Sequence, residues 1–178
     1  PRQIVYGETR IAGTIVRMRT SGDENNTLNM AIVLAGHEIE SLEGVYFDTA
    51  LITTTTSTLH GETVYTASNA DFVNTDNGNA FTGGSLVQYT FHDGSQTAVD
   101  GYAASLTSSG LNYDTNSKFQ GMAYVFMRLV YDPEKLTSIP KIWFKVKGKK
   151  VYDPRNSTTA WSKNPALIVR DFLVDTTY

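Results

Sequence analysis

Three histidines and a scatter of carboxylates are the residues of this 178-residue chain whose types could do chemistry. His37 is followed directly by Glu38, with Glu40 and Glu43 close behind. A zinc-protease helix would need a second histidine four residues after the first, and Ser41 stands at that position. The spacing therefore predicts a turn at a strand end with solvated carboxylates, and not a metal site.

The other two histidines each lie near an acidic residue in the sequence. His60 is followed by Glu62, and His92 by Asp93. These side chains could bind a metal only if folding brought them together, and scattered histidines usually serve no site. We therefore predict no metal, no cofactor and no catalytic residue in the chain.

An asparagine-rich segment around Gly78 faintly resembles a calcium loop. Its candidate ligands are Asn74, Asp76, Asn77 and Asn79. The spacing fails the EF-hand pattern, and no acidic residue occupies the closing position. Asn77-Gly78 instead predicts a type I′ hairpin turn between short apolar runs at 72–73 and 80–81.

Two carboxylate pairs could in principle serve a glycosidase, Asp132 with Glu134 and Asp48 with Glu43. The separation that such chemistry requires is a three-dimensional quantity, which spacing along the chain does not give. The sequence contains no G-x-S-x-G elbow and no phosphate-binding glycine loop. It also contains no cysteine, which removes thiol nucleophiles and disulfides. We therefore predict that the chain is not an enzyme.

The basic cluster of the sequence lies near its C-terminal end and consists of Lys145, Lys147, Lys149 and Lys150. Lysines on the solvent face of a hairpin, protecting an edge strand, explain it better than a phosphate or nucleic-acid contact. Contact with an acidic patch on a neighbouring subunit is a third option. The net charge of −3 predicts no nucleic-acid binding, and no apolar run approaches the ~18–20 residues of a membrane segment.

Strand patterns at both ends of the chain must position these side chains. Residues 28–35 alternate with period two, and residues 122–131 are almost wholly apolar, which predicts a strand covered on both faces. Residues 142–147 and 151–152 are predicted to pair as a hairpin across Gly148. Asn164-Pro165 predicts the N-cap and first position of a helix that ends near Asp175.

These elements predict an α+β fold that is predominantly antiparallel β. We expect both chain ends to form one sheet, with the C-terminal helix packed on it. Residues 1–49 and 118–178 would form a discontinuous β-rich domain. Residues 50–117, which are rich in Thr, Ser, Asn and Gly, would form an insertion subdomain with a hairpin and a short helix over 97–106.

Four segments of the sequence carry a resemblance to a known family. They are Val5-Tyr6-Gly7 to Thr14, Ala35-Gly36-His37 to Phe47, Gly121 to Asp132-Pro133, and Ile139-Pro140 to Arg170-Asp171 with Trp161 inside it. In order and spacing they resemble the phage tail-tip attachment or host-specificity protein J family, the lambda-type tail-tip hub. The resemblance covers roughly half of the chain, and residues 50–117 carry almost none of it.

The resemblance implies a central piece of a much longer structural protein in the virion. The parent would form a homotrimeric hub at the tail tip, made in the bacterial cytoplasm, that takes part in tail assembly and host attachment. It would contact other copies of itself and other tail-tip proteins, with receptor contact elsewhere in the parent. Within this chain we expect Trp143, Lys145 and Lys147 to form a subunit contact, exposed in the isolated chain and buried or paired in the assembly.

Two alternative functions stay open at the level of sequence. The first is a β-rich module that binds bacterial surface glycans. It would need a solvent-facing cluster of aromatic side chains, namely Tyr65, Tyr89, Tyr102 and Tyr113. The second is a tail-associated cell-wall hydrolase, which would need two carboxylates, or a histidine and a carboxylate, converging in a cleft.

Overall fold

A computed structural model describes residues 3–106, 113–114 and 116–175 of the chain. The described elements are β1 (Glu8–Ile11), β2 (Thr14–Ser21), β3 (Thr27–Ala35), β4 (Ser41–Phe47), β5 (Ala50–Leu51), β6 (Thr54–Leu59), β7 (Glu62–Ala67), β8 (Val87–His92), α1 (Gly101–Ser105), β9 (Ala123–Val130), β10 (Ile142–Lys147), β11 (Lys150–Asp153), β12 (Thr158–Trp161) and α2 (Pro165–Val174). The fold is mostly antiparallel β with a C-terminal helix, as the strand patterns predict.

The larger sheet has six antiparallel strands in the order β2-β3-β9-β8-β7-β6. Strand β9 lies in its interior, and every residue of β9 except Arg128 is buried. One face of the sheet contributes to the main core, and the other packs a second cluster around Tyr124 and Phe126. The prediction that this apolar run is covered on both faces is therefore confirmed.

The smaller sheet joins the two ends of the chain, in the order β1-β10-β4-β5. Glu8 pairs with Lys147, so β1 forms its hydrogen bonds with β10, a strand from the last third of the chain. Because side chains alternate along a strand, Phe144 and Val146 enter the core, while Trp143 and its neighbours Lys145 and Lys147 lie on the other face. The expectation that both ends share a sheet is confirmed.

The hairpin predicted between residues 142–147 and 151–152 is wrong. Strand β10 already has β1 on one side and β4 on the other, so β11 pairs instead with β12 in a separate two-stranded sheet. Helix α2 packs against β11 and buries Leu167. Its N-terminus follows the sequence signals, since Pro165 occupies the first turn and the Asn164 side chain accepts a hydrogen bond from the Ala166 N–H at 3.0 Å.

Residues 50–117 provide β5 to β8 and α1, and β8 lies in the interior of the six-stranded sheet. Helix α1 lies within the predicted span 97–106, while residues 107–112 and 115 lie outside the described part. The type I′ hairpin at Asn77-Gly78 is wrong, because no strands flank it: Val73 and Phe81 both form isolated bridges to Ser85. The division into a discontinuous domain and an insertion subdomain stays a prediction.

None of the helices in the described ranges is long and apolar enough to cross a membrane.

Candidate functional site

The predicted subunit-contact residues lie together on the outer face of β10. Trp143 is 38% exposed and stands opposite Tyr46 of β4. Lys145 and Lys147 are half-buried and already form ion pairs within the chain, with Glu8 at 2.6 Å and Glu43 at 3.2 Å. Edge protection is the wrong explanation for these lysines, because β10 has a partner on both sides. Their contact with another subunit stays a prediction.

Carboxylates balance the charge of the whole basic cluster. Glu8 forms ion pairs with Lys145 and Lys163. The hydrogen bonds that these two lysines donate to it lower the pKa of Glu8 to about 2. Lys149 pairs with Asp171 of α2 and with Asp175, which directly follows the helix, and Lys150 lies 3.5–3.7 Å from carboxylate oxygens of Glu38 and Glu40. Such pairing leaves little unbalanced positive charge for a phosphate backbone, which nucleic-acid affinity depends on.

A junction behind this face ties the N-terminal segment to the last third of the chain. The Gly7 carbonyl accepts hydrogen bonds from the Gly148 N–H at 2.7 Å and from the Trp161 indole at 3.1 Å. The Val5 carbonyl accepts the Lys149 N–H at 2.8 Å. Trp161 therefore has an acceptor for its indole N–H, as a half-buried tryptophan requires.

His37 is a structural part of the same junction. Its Nε2 accepts the Val5 N–H at 2.9 Å, and its Nδ1 donates to the Glu38 carbonyl at 2.7 Å. Burial lowers the pKa of His37, so the neutral tautomer that can accept from Val5 is favoured. The expected turn at a strand end agrees with this placement, although the sequence does not indicate the bond to Val5.

Helix α2 presents an apolar face that the described residues leave uncovered. Val169 and Phe172 are each 55% exposed and Leu173 is 74% exposed, and the three side chains lie on one side of the helix. The opposite side of the helix is tied down, because Asp171 accepts the Tyr6 hydroxyl at 2.7 Å and the Lys149 ammonium at 2.8 Å. The sequence predicts the helix but gives no sign that this face stays in solvent.

The four tyrosines of the predicted glycan platform do not form a solvent-facing cluster. Tyr89, Tyr102 and Tyr113 are at most 5% exposed. Tyr65 stacks on Tyr89, with ring centroids 4.9 Å apart, and Tyr102 donates its hydroxyl to Gln88 at 2.6 Å. These rings serve the core and a buried polar network, so they cannot stack on a sugar.

The carboxylates proposed for a glycosidase serve local structure. Asp132 is fully buried and accepts hydrogen bonds from the side chains of Asn74 and Asn77, at 2.8 and 2.9 Å, and from two backbone N–H groups. Burial raises its pKa, but these donors outweigh burial and lower the pKa of Asp132 to about 2. Glu43 is held by Ser41 and by its ion pair to Lys147.

One cluster of potential metal ligands does form, on the far side of the six-stranded sheet from the small sheet's core. Glu62 begins β7, His92 ends β8, and Asp100 is the N-cap of α1; one ligand atom from each lies within 4.8 Å of the other two. The sequence names Glu62 and His92 but pairs them with His60 and Asp93. Asp93 instead accepts hydrogen bonds from Ser95.

Asp100 is the member of this cluster that the sequence analysis missed. Its carboxylate accepts the Ala103 N–H at 2.8 Å, the His92 Nε2 at 3.0 Å and the Thr90 hydroxyl. Burial raises the pKa of Asp100, but these hydrogen bonds hold it below its usual range. An aspartate directly before Gly-Tyr-Ala-Ala is a recognisable N-cap signal, yet nothing local shows that it faces His92.

Comparison with known proteins gives structural similarity at low sequence identity. No protein-family model matches the sequence, and no curated protein matches it. Among solved structures, a chain from the virion of a native gene transfer agent (GTA) particle is similar over 96% of this chain and 34% of its own length, with a TM-score of 0.49 and 14% sequence identity. The chain thus spans about a third of the length of that solved chain.

Proposed function

We propose that this chain is a structural part of a phage or prophage tail tip, within a trimeric hub that takes part in tail assembly and host attachment. One observation carries the proposal: segments that resemble the lambda-type family, far apart in sequence, meet at one junction. Gly7 from the first segment accepts hydrogen bonds from Gly148 and Trp161 of the fourth. The second segment joins them through His37, which accepts the Val5 N–H.

Residues that resemble a family by chance would have no reason to contact one another. Here they form the small sheet, in which β1 and β4 flank β10. The third segment supplies β9, the interior strand of the large sheet. Residues 50–117, which carry almost none of the resemblance, contribute β8 beside β9 in the interior and the outer strands β7 and β6. The segments that carry the resemblance thus form most of the small sheet and one central strand of the large one.

The surface of the chain supports a role in assembly. The exposed apolar face of α2 comprises Val169, Phe172 and Leu173. Soluble monomers rarely leave such side chains in a contiguous patch unless another molecule covers it. In a ring of identical subunits, one such patch would meet a different face of the next copy. We therefore infer that α2 contacts another copy of the chain or another tail-tip protein.

An antibody against this chain tests the proposal on purified particles of the phage or prophage that encodes it. We expect a band in the particles, and label at the tail end in immuno-electron microscopy. Absence from the particles, with the product found free in the medium, would overturn the proposal. Label spread over the head would keep the chain in the virion but reject the tail-tip location.

A pair of matched variants tests the surface separately. Leu173→Asp places a charge in the α2 face, and Leu59→Asp does the same at the exposed end of β6. Both side chains are solvent-exposed, so both variants should fold with near-normal stability. We expect only Leu173→Asp to reduce incorporation into particles. Equal incorporation of both variants would show that α2 makes no essential contact.

The cell-wall hydrolase is the second candidate, because His92 does converge with two carboxylates. The glycosidase reading requires a carboxylate that can reach the glycosidic oxygen, whereas Asp100 has no exposure to solvent. A zymogram on peptidoglycan separates the two functions. Clearing by the chain, abolished in His92→Asn, would favour the hydrolase over a purely structural part.

A further inference from the structure

The cluster of Glu62, His92 and Asp100 contains two acidic groups that no lysine or arginine of the described ranges pairs with. Two carboxylates face one imidazole, and Asp100 is completely shielded from solvent. Within the described ranges, neither carboxylate has a lysine or arginine partner, and both lie close to Nε2 of His92. Buried carboxylates are normally compensated by a paired cation or a metal ion.

Each carboxylate is oriented by the backbone around the start of α1. Asp100 accepts the Ala103 N–H through Oδ1, and Glu62 accepts the Gly101 N–H through Oε1, at 2.8 and 3.0 Å. Each acid therefore directs its second oxygen toward His92. Outer hydrogen bonds of this kind fix the orientation of metal ligands in protein sites.

The distances between the three donor atoms suit a small divalent cation. The Nε2 of His92 lies 3.0 Å from Asp100 Oδ2 and 3.8 Å from Glu62 Oε2. Zinc binds imidazole nitrogen and carboxylate oxygen at about 2.0–2.2 Å, so neighbouring ligands lie about 3.0 Å apart at right angles and about 3.4 Å apart in a tetrahedron. The 3.0 Å pair matches these values, the 3.8 Å pair would have to shorten by about 0.4 Å to reach the tetrahedral value, and all three donor atoms lie within 4.8 Å of one another.

A buried hydroxyl next to the cluster also needs a partner. Tyr124 stacks on His92, with ring centroids 4.7 Å apart and planes 13° apart. Tyr124 has no solvent exposure, and its hydroxyl has no hydrogen-bond partner among the described residues. A water held by a cation would accept its hydrogen bond.

We propose that Glu62, His92 and Asp100 form a three-ligand site for Zn²⁺, completed by water. An imidazole with two carboxylates suits zinc better than magnesium or calcium, which prefer all-oxygen ligand sets. The ion neutralises the two acids and clamps α1 onto the ends of β7 and β8. The site is independent of the tail-tip proposal, since it depends on none of the surfaces or segments that carry that function.

Isothermal titration calorimetry of the metal-stripped full chain with ZnCl₂ tests this site. We expect one zinc per chain with a dissociation constant in the micromolar range or below, and at least tenfold weaker binding of Mg²⁺ and Ca²⁺. The variant His92→Asn should weaken zinc binding at least thirtyfold. The matched control is His60→Asn, which changes an exposed histidine two residues before Glu62, and it should bind zinc as the unchanged chain does.

A second variant keeps the test decisive if His92→Asn does not fold. Glu62→Gln retains an oxygen for the Gly101 N–H but loses the charge, so it should fold and bind zinc at least tenfold more weakly. Circular dichroism of each metal-free variant reports whether it is folded. Binding only at millimolar zinc, loss of binding in His60→Asn, or unchanged binding in the folded His92 and Glu62 variants would each overturn the proposal.

Discussion

Replacing Gly148 by alanine tests the junction where the two ends of the chain cross. An added Cβ at this position would lie 2.1 Å from the Val5 carbonyl oxygen and 2.5 Å from its carbon. Carbon and oxygen atoms normally approach to about 3.3–3.6 Å even in close C–H···O contacts. The backbones must therefore separate by more than 1 Å, and neither is the end of a flexible side chain that could move aside.

Such a separation would break two hydrogen bonds, from Gly148 N–H to Gly7 and from Lys149 N–H to Val5. Each is worth about 1 kcal/mol, and relieving the overlap costs about 1–3 kcal/mol more. We expect the free energy of unfolding to fall by about 3–5 kcal/mol. With a urea dependence near 2 kcal/mol per molar, the midpoint should fall by about 1.5–2.5 M.

Gly7→Ala is the matched control in the same junction. Gly7 has a φ of +61°, but a Cβ there would meet no atom within 4 Å. Its cost should be the conformational one alone, about 1–2 kcal/mol. Urea unfolding of both variants, followed by far-UV circular dichroism, compares them directly. If G148A were no less stable than G7A, the close approach to Val5 would not be what requires glycine at position 148.

Three further predictions concern side chains. Tyr102→Phe should destabilise the chain by about 1–3 kcal/mol, because the Tyr102 hydroxyl forms hydrogen bonds with Gln88 and Arg128. Tyr113→Phe removes a buried hydroxyl that has no partner in the described part of the chain, so it should be neutral or stabilising. Chemical denaturation of both variants measures the difference. Trp161→Phe should cost about 1–2 kcal/mol through the lost bond to Gly7, and Trp143→Phe, at an exposed site, less than about 0.5 kcal/mol; equal melting temperatures for the two would contradict this. Asp132 has a pKa of about 2 in the folded chain, below the ordinary 3.8. The stability that it contributes is therefore complete above about pH 4 and is lost as the pH falls toward 2. Across that range, the free energy of unfolding should depend less steeply on pH in Asp132→Asn than in the unchanged chain.

Short-range patterns predicted the strands that depend on burial alone. The apolar run of β9 could be buried on both faces only in the interior of a sheet. Asn164-Pro165 indicated the start of a helix by its residue types alone. Local turn signals failed where long-range contacts outweighed them. Gly148 has the sequence of a hairpin turn, but β1 and β4 occupy both edges of β10, and Asn77 uses its amide to bind Asp132 instead of turning a hairpin.

The candidate site was predictable only in part for the same reason. Glu62 and His92 were recognisable as possible ligands, but their third partner depends on where α1 lies against β7 and β8. Asp100 faces His92 because its other oxygen caps the helix at Ala103. That geometry arises from the tertiary arrangement of three elements, which no spacing along the chain encodes. The exposure of the apolar face of α2 could not be predicted for a related reason. Apolar periodicity indicates that a helix forms, but it does not indicate what covers the apolar face.

The pairing of β1 with β10 also sets the order in which the chain can fold during synthesis. Strand β1 leaves the ribosome first, yet its partner Lys147 is made well over a hundred residues after Glu8. At the usual rate of translation this delay is on the order of ten seconds. Strand β3 likewise waits for β9. During that time β1 has no partner and β3 is paired only with β2, and non-local pairings of this kind fold slowly. Chaperone demand during synthesis should accordingly be concentrated on the first 35 residues.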